Sequence, residues 1–303
     1  MKFDFGEVLT RARQITWGYK NLWLAGIVMS LVSLLLVPIS LALNPAFSSF
    51  AIPSEVNRQL PSVMLANVSL ILLTVLSIPL FVIGISIPSL ATSQLEQGSE
   101  NVNFGQLIRG VFSYFWRILG IVLLVWVGMF LATLILIASA IFFSILTLGL
   151  GLLCAVPLLL LLILVAILVY ALMEQAVSAV LVDNLGVSSA LQRARRLVEK
   201  NPGLMTLMSI INYLGAIVAI LIISILTMIP MFGSNLGSEP DVQPLERLSR
   251  NMILWTLAFL PFYAVFQGIL VTFLQSFWTL IYLRLTRSTT PSQPLPGAVE
   301  ATS

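Results

Sequence analysis

The chain has 303 residues, of which 59% are hydrophobic and only 9% charged, with a formal net charge of +3. Soluble globular domains carry roughly 25% charged residues, so composition excludes a water-soluble fold and points to a chain that uses the bilayer as solvent. The absence of histidine and the presence of a single cysteine, Cys154, exclude a Ser-His-Asp relay, a histidine-ligated zinc or haem site and an internal disulfide.

The apolar runs are long and unbroken rather than alternating over about ten residues, which predicts helices and not a barrel. The first element is a short helix over 4–18. Asp4 and Glu7 have the spacing of an N-cap and a residue reaching back to it, and Phe5, Val8, Leu9, Ala12 and Ile15 form an apolar stripe. The run at 22–43 that follows is longer than the h-region of a secretory signal, about 7 to 15 residues, and reads as a retained transmembrane helix. A second span is predicted at 63–91.

The segment NFGQLIRGVFSYFW, 103–116, then repeats the opening DFGEVLTRARQITW: Asn103 and Gln106 stand for Asp4 and Glu7, and Trp116 for Trp17. Phe104, Leu107, Ile108, Val111, Phe112 and Phe115 make its stripe. Spans at 118–146 and 152–172 follow, joined by so few residues around Thr147 to Gly151 that they predict a tight antiparallel hairpin. LQRARRL, 191–197, is a near copy of LTRARQI, 9–15, and lies in a third preface helix over 187–199. Spans at 204–232 and 252–283 complete the set, and 286–303, with Pro291, Pro294 and Pro296 among Ser and Thr, reads as a disordered tail. The expected fold is an all-α integral membrane domain over 1–285. Its six transmembrane helices form three hairpins, each preceded by an amphipathic helix in the interface plane.

Twelve of the 15 Lys and Arg residues fall on one side of this arrangement, leaving Arg58, Arg247 and Arg250 on the other. The positive-inside rule then puts both termini in the cytoplasm and the chain in the inner, cytoplasmic membrane. Arg11, Arg13, Arg109, Arg193, Arg195 and Arg196 on the preface helices are candidates for contact with anionic lipid headgroups or a protein partner in the membrane, or simply anchor each hairpin. A pI near 9.2 does not imply nucleic acid, because basic residues flank membrane helices for topological reasons.

Polar groups inside spans are the default functional candidates. Glu174, Asn212 and Gln275 are expected at similar depth in the cytoplasmic half, with Gln267 near the middle of the last span. Two readings compete: a polar vestibule facing the cytoplasm, or an interfacial Glu174 paired with a preface arginine while the amides hold helices together. Pro261 ahead of Gln267-Gly268 marks a kink or a broken helix. Gly26/Ser30, Gly128/Ala132 and Gly215/Ala219 are small-residue pairs suited to internal helix packing.

The segment EQAVSAVLVDNLGVSSALQRARRLVEKNPG, 174–203, with the opening DFGEVLTRARQITWGYKNLWLAGI, resembles bacterial and archaeal multi-span membrane proteins that include the membrane domain fused to some glycerophosphodiester phosphodiesterases. The resemblance implies a helical membrane domain. The soluble catalytic barrel and its metal-binding carboxylates have no counterpart in this chain, so phosphodiesterase activity, a metal and a cofactor are not carried over. The expectation is a non-catalytic scaffold or accessory membrane subunit, with a small transporter or lipid-handling permease as the alternative.

Overall fold

A computed structural model describes residues 4–30, 53–99, 102–147, 151–233 and 244–287. The described residues are helical with short connections and contain no strand. Helix α1 spans Phe5–Gly18 and residues 23–30 begin α2; then follow α3 (Pro53–Glu96), α4 (Phe104–Leu146), α5 (Gly151–Asp183), α6 (Val187–Lys200), α7 (Pro202–Gly233) and α8 (Pro244–Arg287). Five of these contain stretches long and apolar enough to cross a membrane: Leu70–Glu96, Phe104–Leu146, Leu160–Asp183, Pro202–Ile222 and Leu257–Thr286. This is a helical, multi-pass membrane protein. Of the first expected span, 22–43, residues from 31 onward lie outside the described set, as do residues 288–303 of the expected tail, while Thr286 and Arg287 still belong to α8.

Local sequence explains the starts and stops. Asp4 is extended and its Oδ1 accepts from the backbone N–H of Gly6 at 2.9 Å and of Glu7 at 3.2 Å; Asn103 caps α4 in the same way through Gly105 N–H at 3.0 Å. Glu7 does not reach back to complete a capping box and instead accepts from Arg284 at 2.5 Å. Gly98, with φ 93°, takes the left-handed conformation that ends α3. Pro202 opens α7 after Asn201, because proline fits the first helical position and pushes its predecessor out of helix.

The prefaces are not alike. α1 and α6 are separate helices of 14 residues each. The expected third, 103–116, runs without a break into 117–146 as one helix of 43 residues. No proline or capping residue separates Trp116 from Ile118, whereas Gly18-Tyr19 and Asn201-Pro202 interrupt the other two. At about 1.5 Å per residue α4 is roughly 65 Å long, about twice a hydrocarbon core.

Hydrogen bonds define the packing. Gln275 meets Glu174 and Tyr282 meets Asp183, so α8 and α5 advance in the same direction; Ser89 meets Gln275 and Thr92 meets Ser276, so α3 does too. All three helices therefore end on one face, where α1 and α6 also lie. Arg11 pairs with Glu96 at 2.8 Å, Arg193 with Asp183 at 3.0 Å, and Arg284 bridges Glu7 and, at 4.0 Å, Glu96. Just inside this basic end sits the core, with Ile118, Ile121, Met205, Met208, Phe277, Trp278 and Tyr282 buried. At Gly26 and Gly268 the backbones of α2 and α8 touch: a Cβ added at Gly268 would fall 2.7 Å from the Trp23 carbonyl oxygen, and one at Gly26 would fall 2.8 Å from Gly268 Cα. Gly215 meets Leu270, but Gly128 faces open space and packs no helix.

Candidate functional site

The fourth predicted span stops at 172 because a hydropathy window ends at the first carboxylate, yet α5 continues through Glu174 to Asp183. Glu174 is therefore roughly 13 Å inside the end of its helix and only 2% exposed. Its expected pairing with a preface arginine is not found; Asp183, at the helix end, takes that role with Arg193. Glu174 Oε1 instead accepts from Gln275 Nε2 at 3.2 Å, and Gln275 Oε1 accepts from Ser89 Oγ at 3.1 Å. One turn before Glu174, Tyr170 faces both Glu174 and Asn212 of α7. The Tyr170 ring lies 5.7 Å from Tyr213 and 6.2 Å from Trp278, closing the cluster with aromatic edges.

Of the four residues expected to form a polar cavity, Glu174, Asn212 and Gln275 thus come together. Gln267 does not. It lies about 12 Å along α8 from Gln275 and donates to Tyr263 at 2.5 Å on its own helix, while α8 runs on through Pro261 unbroken.

Partners run short in and around this cluster. Glu174 Oε2, Asn212 Oδ1 and Trp278 Nε1 are buried and find no hydrogen-bond partner among the described residues, nor do both side-chain polar atoms of Gln175 and Ser178 Oγ on α5 and Ser209 Oγ on α7. Each such atom costs about 1–3 kcal/mol, which makes a buried ionisable group within a span the default functional candidate. Five of them are oxygens, the donor type that hard cations take. Among the described residues no three His, Cys, Asp or Glu side chains are grouped so that they could hold a metal ion.

Sequence reasoning missed Tyr170, Ser89, Gln175, Ser178 and Ser209. A faint signal existed: Tyr170, Glu174 and Ser178 are spaced i, i+4, i+8 on α5, and Thr272, Gln275, Ser276 and Thr279 share a stripe on α8. Ser89, Thr272 and Thr279 also bond their own helix backbones, as Thr272 does to Gly268 O at 2.8 Å, so the stripe is weak in a hydropathy scan.

The arginines divide by partner. Arg11 is tied to Glu96, Arg193 donates to Tyr282 OH at 2.9 Å besides pairing with Asp183, and Arg195 pairs with Glu199 at 2.6 Å on the exposed face of α6, a bond that raises its pKa further. Arg117, not singled out from sequence, holds Asn184 Oδ1 at 2.7 Å, fixing the left-handed Asn184 (φ 53°) that turns α5 into α6. Arg13, Arg109 and Arg196 are exposed. Comparison with protein-family models, curated proteins and solved structures finds no match to this chain.

Proposed function

We propose that the chain is a small transporter of the cytoplasmic membrane that takes a hard cation, the proton included, at the Glu174 centre. The observation that supports this best is a carboxyl at 2% exposure, flanked by Gln275 and Tyr170, whose Oε2 makes no hydrogen bond of good geometry among the described residues, as Asn212 Oδ1 on the other side of Tyr170 makes none. An uncompensated charge at such depth would cost several kcal/mol, so the carboxyl is expected to carry a proton or a cation. In this reading the chain has six spans in three hairpins and both termini in the cytoplasm, so the cluster lies nearer the cytoplasmic, basic end. Reconstitution of the purified chain into vesicles with a cation- or pH-sensitive dye tests it. Flux should exceed that of empty vesicles and fall at least tenfold in Glu174→Gln, with the circular dichroism spectrum unchanged. No flux above background, or equal flux in the variant, overturns the reading.

A second reading, a non-catalytic accessory subunit, draws on exposed Trp17, Phe112 and Trp116 beside basic residues at the same end, side chains suited to headgroup depth or to a partner helix. It predicts a stoichiometric protein partner in native mass spectra of the chain extracted with its lipids, together with no flux.

A further inference from the structure

On the outer face of α6 a cavity of about 360 Å³ opens between that helix, the α5–α6 turn and the end of α8. We propose that it binds a phosphate group, held by Arg196 and Lys200 with Gln192 alongside. Three points carry the assignment, and none depends on the Glu174 centre.

The first is charge. Arg193 and Arg195 are neutralised by Asp183 and Glu199, while Arg196 and Lys200 make no ion pair among the described residues and both line the cavity. Two unpaired cations match a phosphate monoester, which carries about −1.5 to −2 near pH 7. The second is register. Gln192, Arg196 and Lys200 sit at i, i+4 and i+8, so amide, guanidinium and ammonium form one row on the helix face. A guanidinium fork binds two phosphate oxygens at once and an ammonium supplies a point charge for the third. The third is the anchor. Arg193, Tyr282 and Asp183 form a bonded triad that ties α6 to the ends of α5 and α8, so the row stands on a fixed element with Leu185 and Leu197 beneath it. That apolar floor at the end of membrane helices suits a lipid headgroup whose acyl chains continue past it; a free phosphate would use the same polar groups.

The test uses the full chain in detergent and native mass spectrometry, after incubation with phosphatidic acid, phosphatidylcholine or oleate, and thermal unfolding with and without inorganic phosphate. Wild type should retain phosphatidic acid over both other lipids, and Arg196→Gln/Lys200→Gln should lose at least tenfold of that retention with its unfolding midpoint unchanged. Arg195→Gln, whose guanidinium is already paired, should retain it fully. A midpoint rise with inorganic phosphate that the double variant abolishes, without lipid selectivity, assigns the site to free phosphate. Oleate retained as well as phosphatidic acid, or a double variant indistinguishable from wild type in both arms, overturns the proposal.

Discussion

The two halves of the helix bundle are built on different principles. Toward the basic end, α4 buries Ile118, Ile121, Val122 and Val125, α5 buries Ala171 to Leu181 almost without interruption, and α8 buries Phe277 to Leu283. Toward the opposite end the same helices expose Phe130, Leu134, Ile135, Leu160, Leu161, Leu257 and Phe262. On α5 and α8 the packed half sets small residues and hydroxyls between helices, with Ala176, Ser178, Ala179, Ser276 and Thr279 buried, which lets them approach. The far half carries small residues too, but Ala132 and Ala138 of α4 are exposed beside bulky aliphatics. A small residue draws helices together only where it faces one.

Truncation gives the sharpest contrast between the halves. Ile121→Ala removes a side chain at 0% exposure and should destabilise by about 2–5 kcal/mol, whereas Ile135→Ala, at 69% exposure, should stay within about 0.5 kcal/mol. Unfolding by steric trapping in bicelles measures both; equal losses would mean that the far half is as closely packed as the near one. Next in size is overpacking. Gly268→Leu drives a side chain into the Trp23 backbone and should cost about 1–3 kcal/mol, while Gly128→Leu enters open space and should leave the unfolding midpoint where it is. Similar behaviour of the two glycine variants would remove the close contact of α2 with α8.

A smaller effect is expected from the polar seam. Thr92→Val breaks the 2.9 Å bond to Ser276 between α3 and α8 and should cost about 0.6 kcal/mol, the usual worth of such a bond between membrane helices. A loss several times larger would show the seam acting as one network. The smallest effect belongs to Arg195→Gln, which removes an exposed pair within α6 and should leave the midpoint unchanged at all salt concentrations.

Much of the helix count was legible because twenty-residue apolar runs have few alternative explanations. So were the caps at Asp4 and Asn103, where side-chain chemistry alone selects the conformation. Depth was legible too: counting residues from helix ends put Glu174, Asn212 and Gln275 at one level. What sequence could not give was azimuth. Gln267 has the same composition signal as Gln275 but points to Tyr263 instead of α5, and Glu174 looked interfacial because its burial depends on three helices that a one-dimensional scan cannot bring together. The expected break between preface and span is absent at Trp116 for a related reason: similar phrases make similar helices only where an interrupting residue follows, and that holds for two of the three.

The meeting of Gly26 with Gly268 has a steric consequence. The Trp23 carbonyl oxygen and Ile27 Cγ1 stand 2.7 and 2.8 Å from where a Gly268 Cβ would lie, and Val271 Cβ stands 3.1 Å from one at Gly26. Hydrogen is thus the one substituent this crossing admits, and its tightness is set by two missing methyl groups.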